Sequence, residues 1–202
     1  MSIREVKSEG SIYDEPTRLR IIDRSRALVE EIRDLIDGKL VFEIGCSEGH
    51  LLYEFSKYAN KVVSVETNEQ TVDIAKQKQY ECDAIVEHGE AFQYLAENQD
   101  LIPDVFYYRT NFDVMEQFLQ KILELRGKTK PTIVFGASTN ALDGNPQQLI
   151  EAKKIQEKYG GRLIHIDYHS VTDIVIGKAP ERLTRGTIDL KLVVVPPCGK
   201  KV

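Results

Sequence analysis

Short apolar runs alternate with helical segments between residues 39 and 160, and this alternation constrains the fold more than any other feature. The apolar runs predict strands at residues 39–44, 61–66, 83–86, 104–108 and 132–137. The segments between and after them predict helices at residues 49–58, 68–79, 90–97, 112–125 and 145–160. Strands that alternate with helices of this length build a parallel sheet covered on both faces. We therefore predict an α/β fold.

The two ends of the chain depart from this alternation. Residues 1–13 predict a mobile polar arm, and residues 14–38 predict an amphipathic helix that ends at a glycine. Near the other end, residues 162–167, 172–177 and 187–195 are strand-like, and the first two predict an antiparallel hairpin. We interpret residues 1–38 as a lid over substrate or cofactor. Residues 39–202 form the binding domain, and the two parts make one globular unit.

The composition excludes several classes of protein. Of 202 residues, 42% are hydrophobic and 29% charged, and the net charge of -5 gives no general attraction to nucleic acid or anionic membranes. The N-terminus lacks the apolar core of a signal peptide, and no apolar run reaches the ~18 residues of a membrane span. Three cysteines without metal-ligand spacing suit a reducing compartment. We expect a cytoplasmic protein with a small-molecule substrate, and the sequence leaves the oligomeric state open.

Four arginines cluster in the predicted N-terminal helix: Arg18, Arg20, Arg24 and Arg26. Acidic residues follow them closely, as is typical of the solvated face of a helix. The alternative is that some of them bind a substrate or a phosphate.

The stretch VFEIGCSEGH, residues 41–50, follows the first predicted strand and contains two glycines, Gly45 and Gly49. At the carboxyl end of a parallel strand, such a turn lets the backbone approach a ligand, and the following helix presents free N–H groups. A Walker-type phosphate loop requires a lysine where His50 stands. A dinucleotide fingerprint of the form G-x-G-x-x-G requires a glycine where Ser47 stands. The glycine spacing therefore disfavours a nicotinamide-dependent enzyme.

The segment from Glu43 to Gly49 resembles motif I of the class I S-adenosylmethionine-dependent methyltransferases. Two further segments are similar to motifs of that family: Glu66 ends the second strand, and His88-Gly89-Glu90-Ala91 follows the third. The resemblance covers about residues 40–177. It implies a Rossmann-like, doubly wound, mostly parallel seven-stranded sheet with helices on both faces and an antiparallel strand near the C-terminus. Ser47 departs from the glycine of many members, but serine is also small.

The resemblance also implies how S-adenosylmethionine, and its product S-adenosylhomocysteine, would bind. The backbone of Gly45, Cys46, Ser47 and Gly49 would approach the methionine part, with His50 packed nearby. Glu43 would orient the amino group, or alternatively would only cap the amides of the loop.

The resemblance places the nucleoside part of the cofactor at the ends of the second and third strands. Glu66, with Thr67 beside it, would hold the ribose hydroxyls, since a carboxylate offers two acceptor oxygens. Gly89, Glu90 and Ala91 would meet the adenine. The alternatives are a surface acid for Glu66 and a helix N-terminal acid, favoured by the helix dipole, for Glu90.

The segment Tyr107-Tyr108-Arg109 ends the fourth strand, where the family places the methyl group. One tyrosine would form an aromatic wall beside the sulfonium, and alternation along the strand turns the other toward a helix. Arg109 stands where similar metal-dependent enzymes have an aspartate, so we expect no metal. Arg109 could hold a carboxylate or phosphate of the substrate. Alternatively, it pairs with a nearby acid such as Asp113 or Glu116.

A general base is less clearly marked than the cofactor site. His165 and His169 lie at or after a late strand, near the expected substrate wall, and a histidine suits a hydroxyl substrate near neutral pH. The alternative for each is a solvated or core histidine.

The sequence thus predicts a metal-independent methyltransferase that acts on a small molecule or sugar-like acceptor through oxygen or nitrogen. The alternative is a non-catalytic module, or a partner subunit, that binds S-adenosylmethionine without transferring its methyl group. That alternative stays open because the sequence contains no clear catalytic dyad.

Overall fold

The computed structural model describes residues 11–109, 112–126, 131–140, 154, 157–158, 162–167 and 187–194. The helices are α1 (Glu15–Glu31), α2 (Arg33–Ile36), α3 (His50–Ser56), α4 (Glu69–Lys76), α5 (Ala91–Glu97) and α6 (Phe112–Arg126). The strands are β1 (Leu40–Ile44), β2 (Lys61–Glu66), β3 (Asp83–His88), β4 (Val105–Arg109), β5 (Thr132–Asn140), β6 (Arg162–Asp167) and β7 (Thr187–Val194).

The strands form one sheet in the order β3-β2-β1-β4-β5-β7-β6. The first five are parallel, and this parallel sheet with its helices confirms the predicted α/β, Rossmann-like fold. The chain runs outward from β1 to β3 and then crosses to β4 on the other side of β1, so the switch point lies between β1 and β4. Strand β7 pairs antiparallel with both β5 and β6.

Some C-terminal predictions fall outside the described residues. Residues 172–177, the predicted hairpin partner of residues 162–167, are among them, as is most of the predicted helix at 145–160. The partner that the structure gives to β6 is β7.

The N-terminal helix differs from the single helix that the sequence predicted over residues 14–38. It starts as expected, because Oδ1 of Asp14 accepts a hydrogen bond from the backbone N–H of Thr17 at 2.9 Å and Pro16 lies in the first turn. It stops at Ile32, whose φ of -114° and ψ of 13° are not helical, before the short helix α2. The turn buries both Ile32 and Ile36 completely, so packing of these side chains overrides helical continuity.

Side chains on the two faces of the sheet form two separate core clusters. Leu28 of α1 and Phe55 of α3 belong to the first cluster, and Leu119 of α6 belongs to the second. Because successive strand residues point to opposite faces, Tyr107 lies in the first cluster and Phe106 in the second. Each of these large buried side chains contributes roughly 1.5–3 kcal/mol of hydrophobic free energy. Helix α1 is thereby fixed over the face that carries Tyr107.

Every helix in the described part of the chain is too short or too polar to cross a bilayer.

Candidate functional site

The turn between β1 and α3 is held in an unusual backbone conformation. Gly45, Ser47 and Gly49 all have positive φ, at 78°, 50° and 74°. The N–H of Gly45 donates to the carbonyl of Val65 at 3.0 Å, and the N–H of Gly49 donates to the carbonyl of Cys46 at 2.8 Å. A serine in the left-handed region is uncommon, and such strain concentrates at functional sites. The predicted glycine loop is therefore a tight turn at the carboxyl end of β1.

Glu66 connects this loop to the end of β2. Its Oε2 accepts from the N–H of Ser47 at 2.8 Å, and its Oε1 accepts from the N–H of Asn68 at 2.9 Å and from Oγ1 of Thr67 at 3.3 Å. A carboxylate has about four acceptor positions, so these three donors leave room for one more. Glu66 therefore stabilises the loop and keeps one acceptor position for a ligand.

Glu43 is a buried acid with an unsatisfied oxygen. It is 3% exposed, and its Oε2 has no hydrogen-bond partner among the described residues. Burial, together with the charge of Glu66 nearby, raises the pKa of Glu43 well above its ordinary value. Leaving a buried acceptor unpaired costs about 1–3 kcal/mol. The position is therefore suited to a cationic donor from a ligand.

An N-terminal clasp, residues 11–13, lies over the glycine loop. Both carboxylate oxygens of Glu48, which is fully buried, accept from Oγ of Ser11, at 2.8 and 3.0 Å. The N–H of Ile12 donates to Oε1 of Glu48 at 2.6 Å, and the hydroxyls of Tyr13 and Ser47 are hydrogen-bonded at 2.9 Å. The clasp brings the hydroxyl of Tyr13 to the glycine loop, and the lid role of residues 1–38 stays a prediction.

His50 lies beside Glu48, the acid to which the clasp is bonded. Burial, with a further contribution from the positive charge of Lys78, lowers the pKa of His50 to about 4. The imidazole is therefore neutral near pH 7. Its Nε2 is 3.2 Å from Oε2 of Glu48, and since a carboxylate only accepts, this nitrogen carries the proton. His50 thus supplies a further donor to Glu48.

A cavity of about 240 Å³ lies between the loop, α1 and the end of β4. Its walls are formed by Tyr13, Ile21, Arg24, Ser25, Leu28, Glu43, Gly45, Cys46, Ser47, Glu48, His50, Leu51, Tyr107 and Arg109. The cavity is at the switch point of the sheet, where ligands bind in this class of fold. Most of the residues that the sequence assigned to the methionine part and the methyl group of S-adenosylmethionine line this cavity.

The two tyrosines of β4 point in different directions. Tyr107 lines the cavity and packs edge-on against Phe55, with ring centroids 5.6 Å apart. Tyr108 lies on the opposite face, stacked on Phe118 with centroids 4.1 Å apart. Tyr108 therefore does not reach the described cavity, and its predicted catalytic role loses its geometric basis. The reason is the alternation of side chains along a strand.

Arg24 also differs from expectation. The sequence favoured a solvated face for all four arginines of the N-terminal helix, but Arg24 is only partly exposed and lines the cavity. Arg20 and Arg26 are exposed, as predicted.

The segment expected to meet adenine lies beside Glu66. The N–H of Gly89 donates to the carbonyl of Glu66 at 3.0 Å, and Nε2 of His88 is 3.0 Å from the carbonyl oxygen of Thr67. Glu90 is exposed at the N-cap position of α5 and makes no side-chain capping bond, whereas Ala91 is buried. The structure thus brings Glu66, Thr67 and residues 89–91 together on one side of the loop.

Of the two predicted histidine bases, only His165 lies in the part of the chain that the structure describes. His165 lies on β6, which is separated from β4 by three strand spacings of ~4.8 Å, or roughly 14 Å. His169 lies outside the described residues.

The sequence analysis assigned no role to Glu48 or Ser11 at this site, and for Arg24 it gave substrate or phosphate binding only as the alternative. The one feature of the sequence that could have indicated the contact between Glu48 and His50 is that this acid and this histidine flank Gly49.

Residues 17–181 match the family model described as nodulation protein S, or NodS. The match covers most of the chain. The chain belongs to the NodS family. This assignment confirms the predicted resemblance to S-adenosylmethionine-dependent methyltransferases, and S-adenosylmethionine is the cofactor. The search of curated proteins gives no match.

Solved structures share the fold of this NodS-family chain at low sequence identity. The C-terminal domain of precorrin-6Y C5,15-methyltransferase from Rhodobacter capsulatus is 16% identical, with a TM-score of 0.58 over 93% of this chain and 92% of that one. The precorrin-6y C5,15-methyltransferase from Geobacter metallireducens is also 16% identical, with a TM-score of 0.54 over 84% and 87%. Cofactor-bound Rv0187 from MTB is 14% identical, with a TM-score of 0.55 over 91% and 82%.

Proposed function

We propose that this NodS-family chain transfers the methyl group of S-adenosylmethionine to an oxygen or nitrogen of a small molecule or sugar-like acceptor, without a metal ion. The observation that carries the proposal is a cavity beside the glycine loop that is lined by Tyr107 and by Glu43, whose Oε2 has no hydrogen-bond partner among the described residues. When bound, the cofactor supplies an electrophilic methyl group on a sulfonium. The chain then has to orient the two reactants and exclude water.

The residues present fit the methionine part of the cofactor. Oε2 of Glu43 is a buried acceptor in need of a cationic donor, and the amino group of the cofactor is such a donor. Gly45, with positive φ, lets the backbone pass close to the ligand. Cys46, Ser47 and His50 complete the wall on this side, and Gly49 is the N-cap residue of α3.

The nucleoside part is assigned to the neighbouring strand ends. Glu66 keeps one acceptor position for a ribose hydroxyl, and Thr67 lies beside it. The backbone of Gly89 and Ala91 and the exposed carboxyl of Glu90 lie where the adenine would be held.

The acceptor enters between α1 and the end of β4. Tyr107 offers an aromatic ring to the sulfonium, which is a favourable cation–π arrangement. Arg109 at the strand end is a poor neighbour for a metal ion, which supports metal-independent transfer. Tyr13 of the clasp closes the cavity from the N-terminal side.

The decisive experiment is calorimetric titration of the protein with S-adenosylmethionine, S-adenosylhomocysteine and NAD in parallel. We expect the two sulfur ligands to bind and NAD not to bind. Absence of binding by both sulfur ligands would refute the proposal. Binding without product from any acceptor would favour the non-catalytic module.

Replacing Glu66 by alanine is expected to weaken binding of S-adenosylhomocysteine by about 1–3 kcal/mol, the range for a charged hydrogen-bonding group. Two losses combine, because the ribose loses an acceptor and the N–H of Ser47 loses its partner. The measurement is calorimetric affinity, with Glu69→Ala as the control, since Glu69 is an exposed acid in the first turn of α4. An affinity equal to that of the control would mean that the ribose is held elsewhere.

A further inference from the structure

Two hydroxyl groups from different parts of the chain meet at the wall of the cavity: that of Tyr13 in the clasp and that of Ser47 in the glycine loop. We propose that the hydroxyl of Tyr13, oriented by Ser47, donates a hydrogen bond to the carboxylate in the methionine part of the cofactor. This inference rests on the proposed function and adds to it a carboxylate subsite made by the N-terminal clasp.

The hydrogens of the two hydroxyls determine what this pair can offer a ligand. The oxygens are 2.9 Å apart, and either hydroxyl can donate the bond between them. Each hydroxyl carries one hydrogen, so this bond uses one hydrogen and leaves the other. Neither hydroxyl has a further hydrogen-bond partner in the described part of the chain. The pair therefore keeps one O–H donor for a ligand in the cavity that both residues line.

The order of donation within the pair follows from the chemistry of the two groups. A phenol O–H is a more acidic donor than the aliphatic O–H of a serine, so the phenol is the better partner for an anion. Ser47 then donates to the oxygen of Tyr13, and each bond in such a chain strengthens the next. Tyr13 is thus the residue that contacts the carboxylate, and Ser47 is its positioning residue.

The backbone of Ser47 indicates that a side chain is needed at this place. Its φ of 50° lies in the left-handed region, which strains a residue with a Cβ and which glycine adopts freely. The N–H of Ser47 donates to Oε2 of Glu66 at 2.8 Å, so the loop is held in this conformation. A glycine would relieve the strain but would leave Tyr13 without its hydroxyl partner.

The rest of the clasp fixes the position of Tyr13. The N–H of Tyr13 donates to Oγ of Ser11 at 3.2 Å, and Oγ of Ser11 is bonded to the buried carboxylate of Glu48. The N–H of Ile12 donates to the same carboxylate at 2.6 Å. A donor that is already held in place loses little conformational freedom when the ligand binds.

The charges around the cavity create the need for a donor to the carboxylate of the cofactor. Glu43 and Glu48 both line the cavity, and like charges at short range repel. Glu48 already accepts from the clasp and from His50. Arg24 and Arg109 line the cavity too, but they already interact within the protein, so no bond to the cofactor is assigned to them.

The covalent structure of the cofactor brings its carboxylate close to Glu43. The amino and carboxylate groups are attached to one carbon atom, so the carboxylate lies within about 4 Å of the amino group that is assigned to Glu43. A neutral hydroxyl in the same cavity can stabilise this carboxylate and leave the ion pair at Glu43 intact.

The test uses two ligands that differ only in the carboxylate. They are S-adenosylhomocysteine and its decarboxylated analogue S-adenosyl-3-thiopropylamine, which keeps the amino group. Calorimetry measures the affinity of each ligand for the natural protein and for the variants. We expect the natural protein to bind S-adenosylhomocysteine about tenfold more tightly than the analogue, because only the former carries the acceptor for Tyr13.

The variants assign this difference to the hydroxyl pair. Tyr13→Phe is expected to weaken binding of S-adenosylhomocysteine by about tenfold and to leave binding of the analogue unchanged. Ser47→Ala is expected to cause a smaller loss, because Tyr13 keeps its hydrogen and loses only its orienting partner. Tyr53→Phe is the matched control, since the hydroxyl of Tyr53 donates to Glu81 at 3.4 Å and Tyr53 is not part of the described cavity wall.

Three results would overturn the inference. Equal affinities of the two ligands for the natural protein would show that the carboxylate makes no net favourable contact. Equal losses of both ligands in Tyr13→Phe would show that Tyr13 only holds the clasp in place. Equal affinities of Tyr13→Phe and the Tyr53→Phe control for S-adenosylhomocysteine would mean that another group holds the carboxylate.

The same titrations separate this inference from the proposed function. If S-adenosylhomocysteine does not bind to the natural protein, the proposed function itself fails. If it binds and any of the three results is found, only the carboxylate subsite is wrong.

Discussion

Replacing Glu43 by glutamine is expected to weaken binding of S-adenosylhomocysteine by roughly 2–3 kcal/mol, a value at the upper end for a hydrogen bond to a charged group. Glutamine keeps the shape of the side chain but lacks the negative charge that would accept from the amino group of the ligand. Oε2 of Glu43, which has no hydrogen-bond partner within the described part of the chain, is the acceptor assigned to that group. Calorimetry on both proteins across a range of pH measures the difference, which is largest above the raised pKa of Glu43, where the carboxyl is already ionised.

At pH values below the raised pKa of Glu43, the same variant is expected to abolish a proton release that accompanies binding in the natural protein. Burial and the charge of Glu66 raise the pKa of Glu43, so below that raised pKa the carboxyl is protonated before binding. A cationic ligand favours the ionised form, and the proton leaves on binding. Affinity therefore rises with pH through the raised pKa of Glu43.

Titrations in two buffers with different ionisation enthalpies measure the number of protons released. The control is Glu54→Gln, because Glu54 is also buried but pairs with Arg26 and Lys57 away from the cavity. An equal number of protons released by the natural protein and by Glu43→Gln would contradict the assignment of Glu43.

The difference in folding stability between the natural protein and Glu43→Gln is expected to change with pH. Because the folded-state pKa of Glu43 lies above its ordinary value of 4.5, its contribution to stability is fully present below 4.5. The contribution is lost as the pH rises through the raised pKa. Glu43→Gln has no such loss and becomes relatively more stable at higher pH. The buried carboxyl of Glu43 thus lowers the stability of the folded protein once it is ionised, and a cationic ligand would offset this loss.

The part of the site that the sequence predicts well is local in the chain. The positive φ values of Gly45 and Gly49 and the position of Glu66 follow from the order of strand, glycine turn and helix. These features depend on neighbouring residues and on the parallel sheet that the alternation of elements already requires. The cap of α4 is equally local, since Oδ1 of Asn68 accepts from the N–H of Gln70 at 3.0 Å.

The features that the sequence did not reveal depend on how distant segments dock. The bond from Ile12 to Glu48 joins residues 36 apart, and no periodic pattern encodes it. Arg24 was assigned to a solvated face because acidic residues follow the arginine cluster closely, and only the docking of α1 over the loop decides which side of the helix is inward. The sequence predicts that Tyr107 and Tyr108 point to opposite faces of the sheet. Because both faces of the strand are buried, the sequence alone cannot predict which tyrosine faces the ligand.

Gly49→Ala is expected to lower the free energy of unfolding by roughly 2–5 kcal/mol, through two additive causes. A φ of 74° costs an alanine about 1–2 kcal/mol, because its Cβ crowds the following carbonyl. The Cβ would also lie 2.5 Å from the hydroxyl of Tyr80 and 3.1 Å from Cβ of Ala75, and overpacking of this kind costs about 1–3 kcal/mol. Denaturant unfolding measures the sum.

Gly38→Ala separates the two causes, because Gly38 has a similar φ of 66° and nothing within 4 Å of the added Cβ. This control is expected to lose only the conformational part, about 1–2 kcal/mol. The clash also has an identifiable partner, since the Tyr80 hydroxyl is held by a 2.9 Å hydrogen bond to the carbonyl of Ala75. Adding Tyr80→Phe to Gly49→Ala is therefore expected to recover part of the excess loss, as a double-mutant cycle would show. Equal losses at Gly38 and Gly49 would mean that Gly49 is required only for its backbone conformation and that α4 does not press on the loop.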